Sequence, residues 1–147
     1  MRRREVILAG AGTASFSLAG CLGGDDEVAF VSVSDAIDWY EANDTVFVDA
    51  RGRRDVYENL RIAGAVFSPY PDGLDEDDPT AELDLDTRIV TYCVCPHLMA
   101  EERGESLVAD GYTNVHVLDE GLNEWINQGY PTEGSANEPD EPEYHDE

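Results

Sequence analysis

Apolar residues fall along this chain in short runs, and the spacing between runs changes character. Thr45-Val46-Phe47-Val48 is a continuous β-branched and aromatic run, the pattern of a strand covered on both faces. Arg88-Ile89-Val90-Thr91-Tyr92 and Asn114-Val115-His116-Val117-Leu118 repeat it, and Val28-Ala29-Phe30-Val31 and Gly64-Ala65-Val66-Phe67 are briefer versions. Between these runs the apolar period lengthens to that of helices. Ser34 is a suitable N-cap for a helix over 35–42 with Ile37 and Tyr40 facing inward, and Asn43-Asp44 breaks it. Asp49-Ala50-Arg51-Gly52 ends the second run, and residues 53–60 predict a short helix. A Pro- and Asp-rich loop covers 68–80. Further helices are predicted over 101–110, stopped by Gly111, and over 122–128, stopped by Gly129 and Pro131.

Strands alternating with helices predict an α/β domain: about five mainly parallel strands with helices on both faces. Trp39 and Trp125, at helical spacing from Tyr40 and Leu122, read as core rather than as a binding platform. No internal repeat is visible.

The two ends follow other rules. Arg2, Arg3 and Arg4 precede an apolar, small-residue run over 6–22, at the short limit for a membrane span. Arg3-Arg4-Glu5-Val6-Ile7 reads as a twin-arginine export signal, and Leu18-Ala19-Gly20-Cys21 resembles a lipobox, in which cleavage exposes Cys21 for lipidation. On this reading residues 1–20 are a signal peptide and 21–30 a lipidated linker with an acidic stretch at 23–27. An uncleaved anchor helix is the alternative. The lipid reading predicts a membrane-anchored domain facing the outside of the cell. Gly10-Ala11-Gly12 is no dinucleotide loop, since no strand precedes it and Ser15 holds the third glycine position. At the other end, residues 134–147 are acidic and nearly without apolar groups, which predicts a solvated, disordered tail.

Charge changes the picture of the surroundings. The 147 residues carry 33 Asp and Glu against nine Lys and Arg, for a formal net charge of −24, and all nine basic residues are arginines. With no basic stripe, nucleic acid is excluded as a partner, and so is electrostatic docking on anionic lipid. The 41% hydrophobic content still supplies an ordinary core. Such self-repulsion destabilises a compact state in dilute salt. In molar salt the Debye length falls to about 3 Å and most of it is screened. An acidic, lysine-free surface is thus expected of a halophilic organism, the alternative being an ordinary acidic secreted protein.

Two cysteines lie beyond the anchor, Cys93 and Cys95. With one residue between them they are poor partners for a structural cross-link, and a close thiol pair in an exported chain points to chemistry. Cys93 directly follows the strand ending at Tyr92 and precedes a helix. The C-terminal ends of strands are where open α/β sheets place their sites. Backbone N–H groups and the dipole at a helix start stabilise an anion there, which lowers a thiol pKa.

At these residues the chain resembles the single-domain rhodaneses, a sulfurtransferase family. Val46-Phe47-Val48-Asp49-Ala50-Arg51 is similar to the family strand ending in Asp-x-Arg, and Arg61-Ile62-Ala63-Gly64-Ala65-Val66 to its His-Ile-Pro-Gly-Ala segment in outline. Residues 89–93 resemble the strand ending in the catalytic cysteine. Gly111-Tyr112-Thr113-Asn114-Val115, Leu118-Asp119-Glu120-Gly121 through Trp125, and Gly129-Tyr130-Pro131 resemble the closing segments. The similarity spans about 31–133. It implies a rhodanese-like fold in which Cys93 attacks a small sulfane-sulfur donor, holds a persulfide and passes sulfur to a thiol or other thiophilic acceptor, with no cofactor. Asp49 and Arg51 would support the active loop by pairing or by binding backbone.

The active loop departs from the family pattern Cys-x-x-Gly-x-Arg. It reads Cys93-Val94-Cys95-Pro96-His97-Leu98-Met99-Ala100. The glycine is missing, Pro96 removes one N–H donor, and the nearest following arginine, Arg103, falls a turn or more down the next helix. The longer spacing to Gly111 resembles phosphatases and arsenate reductases of this fold, but those need an arginine to grip the oxyanion. An uncharged or thiol-bound sulfur donor suits this loop better than a dianion. Cys95 could resolve the Cys93 persulfide or form a reversible disulfide with Cys93. Alternatively Cys93, Cys95 and His97 are soft ligands for copper(I) or zinc in a non-catalytic, metal-binding or redox-sensing module. Cys95 as a small packed residue and His97 as a solvent-facing loop residue complete the readings.

Overall fold

A computed structural model describes residues 28–94 and 98–137. The signal segment with Cys21, the loop residues Cys95, Pro96 and His97, and the chain beyond 137 lie outside the described residues. Among the described residues seven strands are formed: β1 Ala29–Val31, β2 Thr45–Asp49, β3 Arg61–Ile62, β4 Val66–Phe67, β5 Arg88–Tyr92, β6 Val115–Leu118 and β7 Thr132–Glu133. The helices are α1 Val33–Ala42, α2 Arg54–Asn59, α3 Leu98–Ala109 and α4 Gly121–Asn127, with 3₁₀ turns at Pro79–Glu82 and Ser135–Asn137.

Five strands form one sheet in the order β1-β6-β5-β2-β4, every pairing parallel. The α/β expectation of about five mainly parallel strands is therefore met. The central strands are apolar throughout because both faces are covered. On one face Phe47, Val90, Tyr92 and Leu118 pack with Val33 and Ile37 of α1 and Leu122 and Trp125 of α4. On the other, Val48, Ile89 and Val115 meet Leu107 of α3 and Tyr112. Trp125 is fully buried. Its ring lies 5.3–5.5 Å from those of Tyr40, Phe47 and Tyr130, and its Nε1 donates to the Pro131 carbonyl at 2.8 Å. Each such ring pair adds about 0.5–1.5 kcal/mol beyond the area it buries. Trp39 is only half-buried; the Arg88 guanidinium lies 4.2 Å from its ring centroid.

Three boundaries differ from the sequence reading. The cap of α1 is Ser32, whose Oγ accepts from the Asp35 N–H at 3.1 Å, and not Ser34. The Val33 N–H is taken by Glu120 Oε1 at 2.7 Å, a partner 87 residues away. The helix after the active loop begins at Leu98, ahead of the expected 101. The third difference concerns the end of the domain. Glu133 lies in β7, which pairs antiparallel with β3, and its Oε2 accepts from Arg61 Nε at 3.3 Å and the Gly64 N–H at 2.9 Å. Residues 135–137, expected in the tail, form a 3₁₀ turn whose Ser135 and Ala136 are exposed, and Gly134 before it packs closely, since a Cβ there would stand 2.5 Å from the Asn59 carbonyl oxygen. Among the described residues no helix is long and apolar enough to cross a membrane.

Candidate active site

Register builds the site. Pairing of β2 with β5 sets Asp49 opposite Tyr92, so the C-terminal ends of the two central strands are level and Cys93 emerges between them. Alternation along β5 turns Cys93 to the face of Ile89 and Thr91, where it clusters with Ala100 of α3 and Val117 of β6. Ala100 is the third residue of α3, so the thiol lies beside the helix's first turn, where the partial positive charge favours an anion. From the opposite side α4 presses on the loop backbone. The Leu122 N–H donates to the Cys93 carbonyl at 2.8 Å. Gly121 holds φ at +80°, and a Cβ there would stand 2.3 Å from the Val94 carbonyl oxygen. Glycine is required on both counts.

Asp49 and Arg51 form a buried bidentate pair. Arg51 Nε donates to Asp49 Oδ1 at 2.9 Å and Nη2 to Oδ2 at 2.5 Å, while the Arg51 backbone N–H also reaches Oδ1 at 3.1 Å. Tyr92 Oη donates to the remaining position on Oδ2 at 3.0 Å and accepts from the Ile62 N–H at 3.1 Å. Arg51 Nη2 further donates to the Leu60 carbonyl at 2.6 Å. Burial works against the Arg51 charge, but the hydrogen bond and charge of Asp49 outweigh it and raise the pKa, and negative charge at Cys93 adds to the effect. Burial, then the Asp49 charge, push Tyr92 well above the ordinary tyrosine range, so its proton stays in place for Asp49.

A cavity of about 510 Å³ opens above Cys93, lined by Arg51, Gly52 and Arg53, by Val56 and Tyr70, and by Val94, Leu98 and Met99. Cys93 is only 2% exposed, so the thiol forms part of a nearly sealed floor. Tyr70 reaches the wall because its backbone N–H donates to the Ala50 carbonyl at 2.9 Å, extending the edge beyond β4.

Sequence reasoning set Arg103 aside as too distant from the loop. It lies in the sixth position of α3, about 7.5 Å along the axis from Leu98, and it does not line the cavity. It is buried, donating from Nε to Ser68 Oγ at 3.0 Å, from Nη1 to Ser106 Oγ at 3.1 Å and from Nη2 to Thr80 Oγ1 at 3.2 Å, with Asp78 Oδ1 at 3.9 Å. The helix that follows Cys93 is thereby tied to the 68–80 loop that carries Tyr70. Sequence held a signal for this, because Arg103 falls on the Ala100–Leu107 face of α3. Cys95 and His97 lie outside the described residues; among the described residues no three His, Cys, Asp or Glu side chains are grouped to hold a metal.

A parallel α/β sheet with a buried thiol at the end of its central strand, walled by the loops of the neighbouring strands, defines a class, and comparison supplies the family. The chain matches the rhodanese-like domain over residues 32–128 and belongs to that family. A rhodanese-like domain from Anabaena sp. superposes with a TM-score of 0.64 at 24% identity, covering 75% of this chain and 83% of that one. The 3-mercaptopyruvate sulfotransferase of Escherichia coli gives 0.62 at 20% identity over 76% and 52% of the two chains. A thiosulfate sulfurtransferase from Pseudomonas aeruginosa gives 0.61 at 22% identity over 74% and 20%. At these identities the likeness is one of fold. No curated protein sequence matches the chain.

Proposed function

We propose that this protein is a sulfurtransferase that carries sulfane sulfur as a persulfide on Cys93 and delivers it to a thiophilic acceptor at the outer face of the cell membrane. The observation that carries the reading is the placement of Cys93: a buried thiol at the end of β5, on the floor of a cavity, beside the start of α3 and within electrostatic reach of Arg51. Membership of the rhodanese-like family and the sulfur-transfer names of two structural neighbours support it. Export, and attachment through lipid on Cys21, rest on the N-terminal sequence pattern.

The chemistry needs two displacements at sulfur. The Cys93 thiolate attacks the outer sulfur of the donor; the new S–S bond forms as the donor's bond to that sulfur breaks, and the electron pair leaves with the donor remnant. An acceptor thiolate then attacks the outer persulfide sulfur and the Cys93 thiolate departs. A covalent intermediate divides one difficult transfer into two easier ones. Positive potential from Arg51 and the α3 start steadies the anion at each stage. Asp49 holds Arg51 in position and is not itself a reacting group.

The test is an intact mass of the reduced protein in high salt after exposure to polysulfide. The expected result is a gain of one sulfur atom mapped to the Cys93 peptide and lost on adding a thiol, with no gain in Cys93→Ser. Folded protein with reduced thiols and no gain refutes the reading.

A further inference from the structure

The cavity above Cys93 has a composition that sulfur transfer by itself does not explain. Beside Arg51, Gly52, Arg53 and Cys93, its lining is Val56, Tyr70, Val94, Leu98 and Met99, a predominantly apolar set. Leu98, the first residue of α3, is 60% exposed and lines the cavity beside Met99, so apolar surface is open to an entering ligand there. Both arginines at the cavity have carboxylate partners, so neither offers an anionic donor a free guanidinium fork. Arg51 is held by Asp49 and the Leu60 carbonyl, and Arg53 at the rim donates from Nη2 to Asp55 Oδ2 at 2.6 Å. No cation among the described lining residues is left without a counter-charge. A volume of about 510 Å³ is also far larger than a small inorganic donor fills.

Resting on the sulfur-transfer reading above, the geometry points to an apolar organic hydropersulfide, R–S–SH with an alkyl or aryl R, as the donor that this site takes. R lies against Val56, Leu98 and Met99, and the terminal sulfur extends to the floor, where Cys93 is 2% exposed and only a slender end group can reach it. The Cys93 thiolate attacks the terminal sulfur of R–S–SH. The Cys93–S bond forms as the R–S–S bond breaks, the transferred sulfur keeps its hydrogen, and the electron pair leaves as R–S⁻, which takes a proton from water. No external oxidant or reductant is needed. Apolar walls make the leaving thiol's tail, rather than its charge, the recognised feature.

The test measures the rate at which the full-length protein gains one sulfur at Cys93 from methyl, butyl and hexyl hydropersulfides, from cysteine hydropersulfide and from thiosulfate, in the same high salt. Each rate is divided by that donor's rate with a small thiolate in solution. The normalised rate should climb by about fourfold per methylene until the cavity is filled, with thiosulfate and cysteine hydropersulfide at least 100-fold below the hexyl donor. Leu98→Asp, at an exposed position, should flatten the climb. If thiosulfate or cysteine hydropersulfide loads Cys93 as fast as the hexyl donor, the apolar-donor assignment is wrong and sulfur transfer stands. If no donor loads Cys93, both fall together.

Discussion

Arg51 grips both carboxylate oxygens of Asp49 and, through the same Nη2, the Leu60 carbonyl at 2.6 Å, so one guanidinium joins the end of β2 to the end of α2. Leaving one charge of such a pair buried alone costs about 3–5 kcal/mol. Arg51→Met should therefore lower unfolding stability by about that amount. Arg51→Lys should lower it less, since a lysine restores charge but not the fork. Urea midpoints at fixed high salt measure both, and a neutral Arg51→Met would contradict the assignment.

Gly121 makes a backbone contact that only glycine permits. With φ at +80° and the Val94 carbonyl 2.3 Å from a hypothetical Cβ, Gly121→Ala must displace the loop that carries Cys93. The expected loss is about 1–3 kcal/mol of stability, together with slower sulfur uptake at Cys93. Unchanged uptake alongside lowered stability would show that the loop's position does not matter to the reaction.

Arg103 couples α3 to the 68–80 loop through Ser68, Thr80 and Asp78. Arg103→Met removes these bonds and leaves Ser68 and Thr80 without the guanidinium, for an expected loss of about 1–3 kcal/mol. Amide hydrogen exchange should locate the loosening in 68–80, where the Gly73 N–H now donates to Pro69 at 2.7 Å. Loosening confined to α3 instead would mean that the loop holds itself.

His116 provides the pH dependence. Its Nδ1 is buried with no hydrogen-bond partner, and burial, aided by the Arg88 charge, holds its pKa below the ordinary histidine value of 6.5. The unfolded chain thus takes up the proton first as pH falls. Stability at this site is intact above about pH 6.5 and declines from there down through the folded pKa. His116→Gln should reduce that slope, read from urea midpoints between pH 5 and pH 8; an unchanged slope would place the titration elsewhere.

The fold was most legible where one residue answers to local rules alone. The runs at Thr45, Arg88 and Val115 are apolar on both faces and became the three central strands β2, β5 and β6. The α1 start was not legible, because Ser32 and Ser34 are equally good caps and the deciding Val33–Glu120 bond spans 87 residues. The β3–β7 ribbon is two residues on each side and pairs Arg61 with Glu133, so no periodicity could announce it. At the site, Cys93 stands out in sequence because it ends a strong strand. Its walls do not, since Tyr70 is placed by a backbone bond to Ala50 and Val56 by a helix of only six residues. Arg103 carried a readable clue in its helical phase, yet its partners sit in a loop with no period at all.

The outermost strands of the sheet have a further consequence. β1 is three residues long and β4 two, so neither is a long template for strand pairing. Mutual repulsion between heavily acidic molecules fades as ionic strength rises, but a truncated border does not depend on ionic strength. Brevity at the sheet's margins therefore guards against strand-to-strand aggregation under just those conditions in which charge no longer does.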